Sequence, residues 1–130
     1  MYAVEVREHI MVAHSLEGAV FGPAQALHGA TFVVSVAFFR EALGPENIVV
    51  DIGRATEALK GALAPLNYAN LDEALPGETT TTEFLCRHVF ERMAEAARAG
   101  GLGPGSDALG RIRVTLEESP TARAWYEAAV

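Results

Sequence analysis

The sequence predicts an α+β domain in which two helices cover one face of a four-stranded antiparallel sheet. Three observations lead to this class. Two segments near the start and two near the end have the patterns of β-strands, and two central segments repeat apolar residues at helical spacing. With 130 residues, half of them hydrophobic, the chain has the size and apolar content of a single domain, which we expect to span 1–130.

The first two strands are predicted over 2–12 and 31–40, with a glycine- and proline-containing loop over 15–25 between them. The first strand has apolar residues on even positions and mostly polar ones on odd positions. The second has apolar residues on both, which predicts burial of both its faces. Because a layer of two helices covers only one face, we expect a homo-oligomer to bury the other.

Two helices are predicted in the middle of the chain. Asp51 can cap the first, whose apolar positions are Ile52, Ala55, Leu59 and Leu63, and Pro65 ends it. The segment Thr80-Thr81-Thr82-Glu83 matches a capping box that starts at Thr80. Behind it, one apolar face of the second helix consists of Leu85, Val89, Met93 and Ala97.

The last two strands follow a glycine-rich loop over 100–106. The third strand alternates apolar Ile112, Val114 and Leu116 with polar neighbours, and a short fourth strand is predicted over 122–126. The loop neither follows a strand nor opens a helix, so it does not match a phosphate-binding motif. The predicted element order is therefore ββααββ.

Charge and cysteine content exclude several classes of function. Ten basic residues against 17 acidic ones give a formal charge of −7, which leaves no basic patch for a nucleic-acid backbone or an anionic membrane. Cys86 is the only cysteine, so we expect a packed thiol rather than a disulfide. The first residues lack the pattern of a secretory signal, and no apolar run approaches the ~20 residues of a membrane span. A cytoplasmic location is predicted.

Three polar side chains fall in the apolar phase of their strands: His14, His28 and Glu118. A carboxylate on the buried side needs a partner, because an unpaired buried charge is costly. The alternative is that Ser119-Pro120 ends the strand and Glu118 turns to solvent. Two histidines fall short of the three or four protein ligands that zinc takes, and a hydrogen-bonded structural histidine is the commoner case.

Together these segments resemble the 6-pyruvoyltetrahydropterin synthase family, which includes the 6-carboxytetrahydropterin synthases. The resemblance covers about residues 2 to 127. It rests on the order and spacing of Val12-Ala13-His14, Leu27-His28-Gly29, Ile48-Val49-Val50-Asp51, Leu66-Asn67-Tyr68-Ala69-Asn70-Leu71, Thr81-Thr82-Glu83 and Val114-Thr115-Leu116-Glu117-Glu118-Ser119. It implies the tunnelling fold, whose subunits form trimeric barrels that stack in pairs as hexamers.

The resemblance also implies positions for zinc and for catalysis, and this sequence departs from them. Members of the family bind zinc through a histidine at the position of His14 and through both histidines of a His-Gly-His motif, which here is His28-Gly29-Ala30. Ala24 stands at the position of the catalytic cysteine, and Asn67 and Tyr68 stand at the positions of an Asp-His pair. We therefore expect a divergent homologue with no cofactor and without the family reaction.

The residues with which the family binds its ring are retained. Glu118 matches the glutamate that pairs with the pterin, and Thr81 and Thr82 match the threonines beside it, with Thr80 in place of a proline. The resemblance therefore implies a pterin-like or purine-like ligand. Three alternatives stay open: a zinc-independent enzyme for a pterin-like substrate, a non-catalytic oligomeric scaffold, and a residual metal site formed by the two histidines with a carboxylate or water.

Overall fold

The framework of the computed structural model is a four-stranded antiparallel sheet. Its strands lie side by side in chain order: β1 (Tyr2–His14), β2 (His28–Arg40), β3 (Arg111–Ser119) and β4 (Ala122–Ala129). Three helices lie between β2 and β3: α1 (Ile52–Leu63), α2 (Leu71–Ala74) and α3 (Thr82–Arg98). The predicted α+β class and antiparallel sheet are confirmed, with the one-turn helix α2 as an addition. None of the helices has the length and hydropathy that a membrane crossing requires.

β1 and β2 are longer than the sequence pattern predicts. They pair along their whole length, from Tyr2 opposite Arg40 to His14 opposite His28. The prediction began β2 at 31, with His28 only in phase with its apolar positions. Pairing with the end of β1 extends the strand through residues 28–30, which places both histidines at the same end of the sheet.

The core lies between one face of the sheet and the two long helices. It is a cluster of 26 buried residues in which the even positions of the strands meet the predicted apolar faces of α1 and α3. The fully buried members with the largest side chains include Phe32, Phe38, Ile10, Leu59, Leu85, Met93 and Leu116. The helices thus cover one face, as expected of two helices on a four-stranded sheet.

The caps of the two long helices differ in how well they were predicted. Asp51 caps α1, and its carboxylate accepts a hydrogen bond from the backbone N–H of Arg54 at 3.0 Å. The cap of α3 is Thr81, which accepts from the N–H of Phe84 at 3.2 Å. The predicted capping box starting at Thr80 is wrong, because the Thr80 hydroxyl is buried against a histidine and the helix starts one residue later.

The second face of β2 is covered by long side chains from its neighbouring strands. Ser35 and Ala37 are buried although they point away from the helices, and Arg7 donates a hydrogen bond from Nε to the hydroxyl of Ser35 at 3.0 Å. The guanidinium of Arg111 lies over the ring of Phe39, with 4.6 Å from Cζ to the ring centroid. The apolar residues on this face therefore do not by themselves require a partner subunit.

The single cysteine packs in the core between α3 and the sheet, as predicted. Cys86 donates its S–H to the carbonyl of Ala124 at 3.3 Å and is fully buried. Burial raises the pKa of the Cys86 thiol to about 11. A thiol in this state is a packing group rather than a nucleophile.

We expect Cys86 to resist thiol reagents for as long as the protein stays folded. Its thiolate fraction near pH 8 is about 100-fold below that of a thiol with a pKa of 9.0, since each pKa unit is a factor of ten. The measurement is the rate of modification by dithiobis-nitrobenzoate with and without guanidinium. Equal rates in the two solutions would contradict the described packing.

Candidate functional site

His14 and His28 meet at the shared end of β1 and β2. They are cross-strand partners, and their ring centroids lie 4.6 Å apart. His14 is buried at 4% exposure with its ring edge-on to Phe32, whereas His28 is half-buried. The predicted inward phase of His14 is therefore correct.

Each of these imidazoles has its Nδ1 atom engaged. His14 Nδ1 lies 3.0 Å from the hydroxyl of Thr80, and His28 Nδ1 donates to the carbonyl of Ala26 at 2.9 Å. Burial, and then the neighbouring His28, hold the pKa of His14 below its ordinary value of 6.5. The His14 ring is therefore mainly neutral at pH 7.

The segment that opens α3 connects the histidines to the candidate carboxylate. Thr80 contacts His14, Thr81 caps the helix, and Thr82 donates its hydroxyl hydrogen to Oε2 of Glu118 at 3.0 Å. The structure thus brings together His14, His28, Thr81, Thr82 and Glu118 at one end of the sheet. Thr80 was missed as a site residue, because its contact depends on how α3 docks against β1.

Glu118 is exposed, so the predicted burial of its carboxylate is wrong, and the alternative in which it turns to solvent at the end of the strand is the one observed. In the register of β3 with β4, Glu117 faces Arg123 and Ser119 faces Ala122, which makes Glu118 the extra residue of an irregularity in the ladder. Such an irregularity interrupts the alternation of side chains between faces. The carboxylate therefore reaches the strand end, where Thr82 fixes one of its oxygens.

The residues at the three catalytic positions of the family, Ala24, Asn67 and Tyr68, make their contacts outside the cluster of histidines and Glu118. Asn67 accepts a hydrogen bond from the N–H of Met11 through its side-chain oxygen at 3.0 Å, and Tyr68 donates its own N–H to the Met11 carbonyl at 2.7 Å. The Tyr68 side chain is 80% exposed, on a backbone with φ of 59°. Ala24 lies in a 3-10 helix (Ala19–Gln25) before β2, and its carbonyl accepts from the N–H of Leu16. Asn67 and Tyr68 thus bind the outer edge of β1, and Ala24 lies between β1 and β2. The side chains of these three residues form no hydrogen bond with the histidines or Glu118.

A second acidic residue, which the sequence analysis did not single out, lies near the histidines. Asp72 accepts hydrogen bonds from both the hydroxyl and the backbone N–H of Ser15, and these two bonds lower the pKa of its carboxyl group. They tie the start of α2 to the residue that follows His14. No sequence signal distinguishes this aspartate from the other surface carboxylates.

The donor set does not fit a zinc ion. Ala30, where a third imidazole would stand, presents a methyl group and faces Val12 across the ladder. With Nδ1 of His14 and His28 engaged, each ring has one nitrogen left to offer, and nowhere in the chain do three His, Cys, Asp or Glu side chains converge. Zinc takes at least three protein ligands in catalytic sites.

Comparison with known proteins gives one family and several structural relatives. The model of the family described as 6-pyruvoyl tetrahydropterin synthase matches residues 3–129. The structure of the Caenorhabditis elegans 6-pyruvoyl tetrahydropterin synthase is similar, with a TM-score of 0.80 and 20% identity over 98% of this chain and 96% of that one. The Plasmodium vivax enzyme superposes with a TM-score of 0.74 at 14% identity, with both chains fully covered.

A third similar structure is an uncharacterized protein from Wolinella succinogenes, with a TM-score of 0.67 and 13% identity over 98% of this chain and 97% of that one. At such identities the likeness concerns the fold. No protein with a curated description matches the sequence.

Proposed function

The chain belongs to the 6-pyruvoyl tetrahydropterin synthase family, and we propose that it binds a pterin-like or purine-like heterocycle without carrying out the family reaction. The observation that carries the proposal is the hydrogen bond from Thr82 to Glu118, which holds an exposed carboxylate at the start of α3. Glu118, Thr81 and Thr82 are the proposed ligand-binding residues.

The chemistry of the carboxylate supports this ligand class. A pterin presents its 2-amino group and the adjacent ring N–H as two parallel donors, and a carboxylate matches that fork with two charge-assisted hydrogen bonds. An ionised carboxylate has about four acceptor sites, and Thr82 uses one of them on Oε2 of Glu118. The remaining sites can pair with both donors of the ring.

The other half of the proposal is the absence of the family chemistry. A methyl group at Ala24 has neither a proton to transfer nor a nucleophilic atom, and an amide at Asn67 has no useful charge near neutral pH. The amide oxygen of Asn67 is moreover engaged by the β1 backbone, and the phenol of Tyr68 points to solvent. The proposal therefore includes no catalytic residue, no metal and no cofactor.

The experiment is a fluorescence titration of the protein with neopterin. We expect micromolar binding that Glu118→Gln weakens by at least about tenfold, or 1.4 kcal/mol, because one charged acceptor of the fork is lost. Glu117→Gln is the matched control, since it removes the same charge from the preceding residue, which stays paired in the ladder. The absence of binding by any of the three proteins would favour a scaffold, and equal binding by all three would refute the role of Glu118.

We also propose that the chain forms a homo-oligomer through its sheet edges, as a hexamer of two trimeric barrels. The outer edge of β4 has no partner strand, and that of β1 is covered near its end, where segment 67–70 bonds to Met11 and Ala13. Unpaired edges of this kind favour pairing with another chain. Large apolar side chains are exposed on both edge strands, at Tyr2 and Trp125.

Native mass spectrometry or light scattering measures this assembly. We expect a species of six times 13.8 kDa, with a trimer as its intermediate. A variant with a proline at Trp125 is expected to shift the distribution to the single chain, because proline cannot take part in a central ladder. A particle of 13.8 kDa alone for the natural sequence would contradict the proposal.

The remaining part of the proposal concerns location and partners. The free, buried thiol of Cys86 suits a reducing compartment, and the formal charge of −7 disfavours nucleic acids and anionic membranes. We therefore propose a cytoplasmic protein whose partners are a small heterocycle and copies of itself.

A further inference from the structure

A cleft of about 670 Å³ lies at the end of the sheet opposite the histidines, where β2 and β4 end and β3 begins. Its volume falls within the range of about 300–1,000 Å³ that is typical of small-molecule sites. β1 has 13 residues, each rising about 3.3 Å, so the length of this strand places the cleft roughly 40 Å from His14 and His28. The cleft is therefore separate from the site proposed for the heterocycle.

Two arginines on the walls of this cleft each have one hydrogen-bond donor that is not used. The Nε atoms of Arg40 and Arg111 are buried and have no partner, and no other buried side-chain nitrogen or oxygen of the chain lacks one. A buried donor without an acceptor is costly, so such atoms are rare in native folds. Their occurrence together on one cleft indicates an acceptor that the chain itself does not supply.

The position of the Arg40 guanidinium is fixed by the loops around it. Its Nη1 donates to the carbonyl of Ile48 at 3.1 Å. A Cβ atom at Gly105 would lie only 2.5 Å from this Nη1, so the glycine leaves the room that the guanidinium needs. None of the six ion pairs of the chain includes Arg40. This half-buried cation therefore has no counter-charge from the chain.

Arg111 is the neighbour of Arg40 in the sheet, because it pairs with Phe39 in the register of β2 with β3. Its Nη1 lies 3.3 Å from a carboxylate oxygen of Glu127, which also pairs with Arg113. Two cations thus share one anion. Successive residues of a strand point to opposite faces, so Arg40 and Arg111 border the cleft from the two sides of the sheet.

The charge and the surface of the walls favour an anion with an apolar part. Three guanidinium groups lie in or beside the cleft, those of Arg40, Arg111 and Arg113, against the carboxylates of Glu127 and of the exposed Glu41. The balance is positive in a chain whose formal charge is −7. The apolar residues of the walls are Met1, Ala42, Leu43, Ala108, Ala128 and Ala129.

We infer that this cleft binds a small organic anion, a carboxylate or a phosphate monoester with an apolar body, between Arg40 and Arg111. A guanidinium presents Nε and one Nη as parallel donors, and the oxygens of a carboxylate or phosphate accept both. The apolar body packs against the alanines and Leu43. Since the cleft shares no residue with the proposed heterocycle site, failure of one site leaves the other standing.

The test is a calorimetric titration of the natural protein with hexanoate and with hexyl phosphate, and with hexanol as the neutral analogue. We expect saturable binding of at least one anion with a Kd of about 1 mM or lower, and binding of hexanol at least about tenfold weaker. Binding of only one anion supports the inference and identifies the anionic group. The absence of saturable binding by both anions, or equal binding of hexanol, would overturn the inference.

The variant Arg111→Lys keeps the positive charge and removes the parallel donors. It is expected to weaken anion binding by at least about fivefold, and Arg40→Lys likewise. Arg113→Lys is the matched control, because it makes the same change in the other partner of Glu127, outside the cleft. An equal loss in Arg111→Lys and Arg113→Lys would mean that only the general charge attracts the anion, and would refute the site. Arg111→Lys decides the question even where Arg40→Lys does not fold.

Discussion

Replacing Ala30 by histidine is expected to give the chain a zinc site. Side chains two positions apart on a strand point to the same face, so a third imidazole at this position joins those of His28 and His14. Three imidazoles and a water are the donor set of many catalytic zinc sites. We expect the affinity for zinc to rise on the order of 100-fold or more, because each protein ligand contributes several kcal/mol.

The measurement is the zinc content of each protein after dialysis, with competition against a chromogenic chelator for the affinity. Thr31→His is the matched control, since it places the same group one residue later on the opposite face of β2. About one zinc per chain is expected for Ala30→His, with none above background in Thr31→His and the natural sequence. Equal zinc in the two variants would contradict the described geometry.

Truncating Phe38 is expected to remove much of the stability of the fold. This side chain is 0% exposed in the core between β2 and the helices. Its replacement by alanine costs about 3–5 kcal/mol, from lost transfer free energy and the cavity that remains. Domains of this size are stable by only about 5–15 kcal/mol.

The control for this prediction is the next residue on the same strand. Phe39 is half-buried on the opposite face, beneath the guanidinium groups of Arg111 and Arg113. Phe39→Ala is therefore expected to cost clearly less in the free energy of unfolding from chemical denaturation. Equal losses for the two variants would mean that the helices do not define the main core.

The fold was largely predictable because its elements carry strong local patterns. Ile112, Val114 and Leu116 alternate along β3 because the strand buries one face. Leu85 and Val89 recur at helical spacing because α3 buries one side. The extension of β2 to His28 was indicated only by the phase of that residue, because the strand bounds there come from pairing with β1. The true cap of α3 was not predictable, since the burial of the Thr80 hydroxyl depends on tertiary packing.

The residues that form the candidate site could be predicted, but their arrangement could not. The phase of the strands identified His14, His28 and Glu118 as candidates, the family resemblance implied Thr82, and the structure brings these four to one end of the sheet. The exposure of Glu118 was predicted only as an alternative, because an irregularity that inserts one residue in a ladder leaves no mark in an alternating pattern. The attachment of Asn67 to the β1 edge likewise depends on a contact across 56 positions of the chain.

The central claim is that Glu118 pairs with the amino-substituted edge of a heterocycle. The most direct measurement compares the affinities of pterin and lumazine, in which a carbonyl replaces the 2-amino group, for the natural protein and for Glu118→Gln. A carboxylate facing that carbonyl loses one charge-assisted bond and meets a second acceptor, so the natural protein is expected to prefer pterin by at least about tenfold. In Glu118→Gln the preference is expected to fall to near unity, because the amide can also donate to the carbonyl. An equal preference for pterin in both proteins, or none in the natural protein, would contradict the account.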